Sequence, residues 1–597
     1  MESSHLGVAA SGFLTDSYNL FSTNVILASI AFVYWPSPGA RWQGLLINFF
    51  TLLGSVIGQL LFGFLADFYG RTRLYGIELV LVIVSTIGVA TSSYGFDDMS
   101  FLGLFIWWRF VMGIGIGAEY PLSAVITSEW SSTQSRGTMI SSTFMMQPIG
   151  QALAQLVGLW VLLGREKSEG LQAMQCGLDM KFDRECRRIV DGIWRIVIGS
   201  GAVPALLAII FRFFLFDCGL YSLEVRNKPG IALRNTQRVY GAPPVTTAGY
   251  PLAPNDSMHA TNPQQPMPIQ FSKDDLYKYF IEDGNWYYLL AYCHRHISRM
   301  SRKTDDTIGT AATWFFLDAT VLELQVSRRK RNSTDLESNR PPVWQTDATL
   351  PCNTIYDVLL EQAKQYLLTV SIASIAGSAC FVMAANRIPR RLWLTVSFFV
   401  LAILFVITGC VYYGVNRTPG APATVVFVAL CHFMFNFGRS YRRLVYRTHG
   451  RGRQLTAASG ANTLTFIIPA EIFPTCYRCT CHGISAAAGK LGSIVALLVV
   501  YGINSSYTAA NRQGLIFLLF GSFVAVGAVF SWAYLPDSQR WVVDEEGRRV
   551  LEQKTLEELG EGRERARQLG EVITVKEKWH GLKRRRASPE PSQATDP

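Results

Sequence analysis

Charge is what this chain has least of. Only 17% of its 597 residues are Asp, Glu, Lys or Arg, while 49% are hydrophobic. A soluble core is written in short alternating or amphipathic runs, and these apolar residues are not arranged that way. The 11 cysteines are scattered, mostly within apolar runs, which speaks against a disulfide scaffold. No basic segment opens the chain, and its first apolar run already contains Asp16, so no cleavable signal peptide is expected. No nucleophile–base pair or nucleotide loop stands out. A catalytic role therefore has little support, and no cofactor or metal is expected.

What the sequence does have is length without charge. Its apolar runs repeatedly reach about 20 residues, enough to cross a hydrocarbon core, and the mean hydropathy is +0.20. Twelve spans are predicted, near 6–34, 44–66, 74–94, 100–128, 138–163 and 192–215, then 309–326, 356–384, 392–414, 421–438 with 462–470, 481–503 and 514–535. The expected fold is an all-α integral membrane protein of twelve helices in two six-helix halves. Residues 1–216 form the first half and 307–535 the second, with an insertion at 439–461. Between them, 217–306 reads as a partly disordered cytoplasmic loop rich in Pro, Asn and Gln, and 536–597 as a cytoplasmic tail. The tail stretch LEQKTLEELGEGRERARQL has the alternating charge of an exposed helix. Two six-helix halves around a polar hinge are the layout of a transporter built from repeats.

The net charge of +11 sits in loops and tail. In a membrane protein this marks cytoplasmic loops and a bilayer partner rather than nucleic acid. Arg71, Arg73, Arg136, Arg387, Arg390, Arg391 and Arg478 fall in connections that are cytoplasmic if both termini are, whereas Asp97 and Asp98 face outward. The sequons at Asn416 and Asn504 fall on the outer side. Cys176 and Cys186 share an outer loop, as a pair or as two free thiols.

A few polar residues interrupt the apolar spans. Glu119 lies within GIGIGAEYPLSAVITSE, where a carboxylate costs roughly 2.5–3.5 kcal/mol on insertion scales and usually faces a polar pathway. Arg109 precedes it by ten residues, and Gly113 and Gly117 form a GxxxG that suits close helix packing. Asp16, Asp318 and Lys490 are also placed within spans. Between the second and third spans, Gly63-Phe64-Leu65-Ala66-Asp67-Phe68-Tyr69-Gly70-Arg71-Thr72-Arg73 resembles the signature loop of the major facilitator superfamily. Gly63 allows close contact, and Asp67 with Arg71 suits a charge-assisted latch between halves. This assigns Asp67, Gly70, Arg71 and Arg109 to gating. The matching loop of the second half has Asn386 where an Asp is usual, so a weaker latch is expected there.

GQLLFGFLADFYGRTRLYGIEL, GIGIGAEYPLSAVITSE and NTLTFIIPAEIFPTCYRCTCHGISAAAGKLG together resemble the fungal and plant phosphate:proton symporters of that superfamily. The resemblance covers most of both halves and fails in the central loop and tail. It implies inorganic phosphate and protons as partners. It assigns Tyr120, Gln147, Trp314, Asp318, Asn462 and Lys490 to phosphate, and Asp16, Glu78, Glu119 and Asp318 to proton coupling. Three departures matter: Asn19 stands where the family has a second acid, Glu119 where it has Asp, and Leu322 where it has Tyr. The implied ligand set suits its task. Tyr, Gln, Trp and Asn are neutral donors, and a protonated Asp318 donates where an ionised one repels, so proton and phosphate binding are linked.

Other features have ordinary readings beside them. Cys476-x-x-Cys479-x-Cys481-His482 has zinc-like spacing, but the resemblance accounts for most of it. Lys583-Arg584-Arg585-Arg586 suits either a solvated tail or anionic lipid, and Ser588 beside it is a candidate phosphorylation site.

Three segments break the pattern. Arg439, Arg442, Arg443, Arg447, Arg451 and Arg453 interrupt one span, at a cost on the order of 15–20 kcal/mol if they met lipid. Residues 292–308 separate GNWYYLLA from GTAATWFF, and 327–350 place Arg328-Arg329-Lys330-Arg331 on the outer face. The flanks rejoin when the inserts are removed. That suggests translated introns at 292–308, 327–350 and 439–461, with genuine extramembrane insertions as the alternative. Messenger RNA that retains all three would sink the intron reading. The chain also opens almost at its first span, which leaves room for a missing cytoplasmic N-terminal segment.

The expected function is proton-coupled import of inorganic phosphate across the plasma membrane by alternating access. A carrier of phosphate esters such as glycerophosphodiesters, favoured by Leu322, and a non-transporting phosphate sensor, hinted at by Asn19 and Asn386, are the alternatives.

Overall fold

The computed structural model describes residues 2–35, 42–94, 100–178, 182–212, 277–278, 310–319, 344, 353–386, 389–414, 422–437, 460–506, 509–543 and 549–561. Nearly all of the 217–306 loop, the segment 292–308, most of 327–350 and of 439–461, Leu322, and the basic tail with Ser588 lie outside the described residues.

The first half contains α1 (Glu2–Tyr34), α2 (Trp42–Tyr69), the one-turn α3 (Arg71–Leu74), α4 (Ile77–Ala90), α5 (Phe101–Trp130), α6 (Arg136–Glu169), α7 (Asp183–Gly199) and α8 (Ala202–Arg212). The second contains α9 (Thr310–Asp318), α10 (Ile355–Tyr366), α11 (Ile372–Ala384), α12 (Arg390–Gly414), α13 (Pro422–Asn436), α14 (Ala461–Ile472), α15 (Arg478–Ser506) and α16 (Ala509–Tyr534). Among the described residues, nine stretches are long and apolar enough to cross a membrane, with Ala423–Asn436 as a shorter apolar helix. α1 is not among the nine, although it is 33 residues long. Its polar positions Thr15, Asp16, Ser17, Asn19 and Asn24 dilute the apolar run.

The helices form because each backbone polar group must be satisfied internally within an apolar span. Glycines set how closely they pack. Gly54 and Gly58 of α2 face Gly113 and Gly117 of α5, and Ser55 Oγ donates to the Gly113 carbonyl at 3.2 Å. A Cβ at Gly63 would lie 2.8 Å from the Cys479 carbonyl, so α2 of one half lies directly on α15 of the other. The second seam runs where α6 meets α10 and α11. α10 passes into α11 through a π turn at Leu367–Ser371, so 355–384 is one continuous span.

The described residues on either side of 438–459 meet at one point. Gly460 packs against the Asn436 backbone, and Asn462 Nδ2 donates to Asn436 Oδ1 at 3.3 Å. α13 and α14 therefore act as two parts of one span. At one end of the molecule Cys176 and Cys186 are joined as a disulfide, with Cα atoms 5.6 Å apart. At the opposite end, β1 (Gln539–Val543) pairs antiparallel with β2 (Arg549–Gln553), followed by α17 (Leu556–Gly560). The expected tail helix is thus partly a strand. Leu551 to Gln553 pair with Trp541 to Gln539, and helix begins only after Thr555, whose side chain accepts from Glu558 N.

Candidate functional site

Two prolines place the central residues. Pro121 follows Tyr120 in α5 and Pro148 follows Gln147 in α6. Each lacks an N–H and releases a carbonyl of the preceding turn, which distorts the helix beside a site side chain.

Tyr120, Gln147, Trp314, Asp318 and Lys490 come together between the halves. Gln147 Nε2 donates to Tyr120 Oη at 3.4 Å, and Ser17 Oγ of α1 holds the Gln147 carbonyl at 2.5 Å. Across the seam, Lys490 Nζ donates to Asp318 Oδ2 at 3.2 Å and lies 5.1 Å from the Tyr120 ring centre. Trp314 and Asp318 share one face of α9, as their four-residue spacing requires. Trp314 lies 6.4 Å from Tyr120, ring centre to ring centre. α9 sits close to α15 because Gly489 and Gly492 leave room for Trp314 and the Phe315 carbonyl.

Asn462 is the outlying member. It bonds to Asn436, while Phe466, one turn further along α14, touches Tyr120, Trp314 and Phe144. Phe13, Phe466 and His482 wall the site; the two phenylalanines were not singled out by sequence, and His482 only for its zinc-like spacing. His482 stacks edge-on against Trp314 at 5.5 Å. Its position in the zinc-like Cys-His run is thus one of aromatic packing. Among the described residues no cluster of three His, Cys, Asp or Glu suits a metal ion.

The acids form a separate cluster closed by a cation, Arg212, which sequence reasoning missed because it ends an apolar helix and reads as a boundary. Its guanidinium pairs with Glu78 and, at 2.6 Å, with Glu119 Oε2. Tyr75 Oη donates to Glu119 Oε1 at 3.0 Å, and Gly76 N to Glu78 Oε2 at 2.7 Å. Asp16 lies beside them, buried, with neither carboxylate oxygen hydrogen-bonded among the described residues.

Arg109 stands apart from the gating loop. It is buried and donates to the Asn19 carbonyl at 3.1 Å, to Thr51 Oγ1 at 3.3 Å and to Thr23. Among the described residues no carboxylate lies within 4.0 Å of it.

The latch is at the end bearing the hairpin. Asp67 accepts from Thr480 N at 2.7 Å, Thr480 Oγ1 at 2.8 Å and Cys479 N at 3.3 Å, which caps the start of α15 in the other half. Arg71 pairs with Asp67 at 3.3 Å and Glu129 at 3.1 Å and donates to the Thr475 carbonyl. Gly70, at φ 104°, adopts the left-handed turn that aims Arg71 inward. Arg478, read from sequence only as a loop charge, pairs with Glu129 at 3.0 Å. In the second half Arg390 pairs with Glu471. Asn386 makes its cross-half contact with a neutral bond, donating to Thr138 at 2.9 Å, and accepts from Gln553 of the hairpin at 2.8 Å.

A cavity of about 200 Å³ lies elsewhere, among α1, α6, α7 and α10, lined by Asn24, Gln155, Trp194, Glu361 and Tyr366 among others. It contains none of the expected phosphate residues.

The two halves with a buried polar seam define a secondary transporter. Residues 7–247 match the sugar (and other) transporter family. The fold is similar to that of the proton:xylose symporter XylE bound to 6-bromo-6-deoxy-D-glucose, with a TM-score of 0.62 at 17% identity over 94% of this chain and 98% of that one. The repressible high-affinity phosphate permease of Neurospora crassa is 33% identical over 82% of this chain and 76% of its own length. The inorganic phosphate transporter PHO84 of Saccharomyces cerevisiae is 29% identical over 93% and 84%. A probable inorganic phosphate transporter of Arabidopsis thaliana is 28% identical over 88% and 89%. The chain belongs to the major facilitator family that includes these phosphate permeases.

Proposed function

We propose that the chain imports inorganic phosphate across the plasma membrane with protons, by alternating access, with both termini and the central loop in the cytoplasm. The Lys490–Asp318 pair, 3.2 Å apart opposite Tyr120 and Gln147, carries the reading. An anion entering here competes with Asp318 for Lys490. Once displaced, an ionised Asp318 would face phosphate unpaired in a dry site, so a proton on Asp318 accompanies binding. Tyr120, Trp314, Gln147 and Asn462 supply neutral donors, and Gln147 Oε1, buried and without a partner among the described residues, is an acceptor for a phosphate hydroxyl. The names of the relatives above support phosphate as the cargo.

The latch of Asp67, Arg71, Glu129 and Arg478 closes the cytoplasmic side. The Cys176–Cys186 disulfide suits the opposite, oxidising side. Uptake of labelled phosphate by a transporter-deficient cell, with and without a proton gradient, tests the reading. Saturable uptake that ignores the gradient would remove the symport claim. Competition by glycerophosphodiesters stronger than by phosphate would favour the ester carrier that Leu322 suggests.

A further inference from the structure

The acid cluster contains a cation to which no role has been assigned. Arg212 ends α8, and its side chain is 3% exposed. Its two terminal nitrogens divide between two acids on different helices, Glu78 of α4 and Glu119 of α5. Its guanidinium carbon sits 3.7 Å from the Tyr75 ring centre. Tyr75 and Gly76 N complete the bonding of these two acids, so every oxygen of both has a donor. α1 makes room for the arrangement with Gly12, where a Cβ would collide with Arg212 and Glu119.

One turn further along α1 is Asp16, with no donor on either oxygen among the described residues. The charged or titratable groups around it are Glu78 of α4, Glu119 and Tyr120 of α5, Tyr75 before α4, and Arg212 of α8. Beside it α6 presents the neutral Gln147. Three carboxylates share one cation, and both of its terminal nitrogens are taken by the other two, one each. A buried carboxylate without donors is the one least able to remain ionised.

We propose that Arg212 is the positioning residue of a second proton site: by pairing with Glu78 and Glu119 it leaves Asp16 as the unpaired acid that takes up a proton in this conformation, beside the one on Asp318 that accompanies phosphate. The inference rests on the proton-coupled reading above. The bidentate fork matters because a lysine ammonium offers a point charge, not two diverging pairs of donors.

The test uses the purified full-length chain in liposomes. Labelled phosphate is followed both as gradient-driven accumulation and as counterflow without a gradient. Arg212→Gln is expected to lose at least about tenfold more accumulation than counterflow. Arg212→Lys is expected to recover part of the accumulation. Infrared difference spectra are expected to show a protonated carboxyl band that Asp16→Asn removes and Glu119→Gln retains. An Arg212→Gln variant with wild-type accumulation would overturn the proposal, as would a protonated band lost only in Glu119→Gln. Equal loss of counterflow and accumulation in both arginine variants would overturn it in favour of a purely structural role. Wild-type uptake indifferent to the gradient would instead sink symport itself, and the infrared bands would still decide the assignment of the proton.

Discussion

Arg478 Nη1 of the second half donates to Glu129 Oε1 of the first at 3.0 Å, and both side chains are sealed from solvent. The same oxygen of Glu129 also meets Arg71 at 3.1 Å. One carboxylate thus neutralises two buried arginines that come from opposite halves. The bond cannot survive separation of the halves, so it reports and stabilises the closed state at this end.

Glu129→Gln should release that end. Two buried arginines would face each other without their shared anion, and breaking a buried pair of this kind costs about 3–5 kcal/mol. Cys479 is buried directly beneath, with its N–H on Asp67. Its labelling by an impermeant thiol reagent in inside-out vesicles should rise at least about tenfold. Unchanged labelling would mean that Glu129 does not govern the gate.

Asp318→Asn mimics the protonated acid. Phosphate binding by this variant should respond less to pH than binding by the wild type, because residue 318 can no longer take up a proton. Lys490→Ala should weaken binding at least about tenfold, because it removes the only cation in contact with Asp318 among the described residues. Isothermal titration across pH measures both. A pH slope retained in Asp318→Asn would assign the linked proton to another group.

Removal of residues 438–459, joining Phe437 to Gly460, should leave a folded protein. The ends already meet at Asn436 and Gly460, and Asn462 already bonds to Asn436. Surface expression and melting temperature should match or exceed those of the full chain, since six arginines no longer have to be kept from lipid. A variant that fails to reach the membrane would show that the segment is part of the fold.

The disulfide tests the orientation. An impermeant reductant applied to intact cells should free Cys176 and Cys186 for maleimide labelling if their loop is external. The double serine variant should lose roughly 2–3 kcal/mol of local stability, as expected for a loop of this length. Labelling only after permeabilisation would invert the topology.

The spans were legible because an apolar run of membrane length has few other fates. So were Gly63, Asp67 and Arg71, whose spacing is a local pattern, and the shared face of Trp314 and Asp318, which follows from helical periodicity alone. Arg478 and Arg390 could be read only as loop charges, because sequence gives the sign of a charge but not the carboxylate it meets. The extent of the tail helix was misjudged for a similar reason: the pairing of Gln539–Val543 with Arg549–Gln553 is a tertiary choice that local charge alternation does not reveal.

By itself, then, the sequence determined a two-halved helical membrane protein with acids, a lysine and aromatic donors inside its spans. Hydrophobic length and the cost of burying charge are properties of single segments and need no partner. Only the tertiary structure decided which charges neutralise which. It gave Glu119 to Arg212, from a helix that begins 83 residues later, left Asp16 without a donor among the described residues, and set Lys490 on Asp318 between two helices of the second half. Those pairings depend on helix packing in three dimensions, which glycines such as Gly12 and Gly489 permit but do not announce.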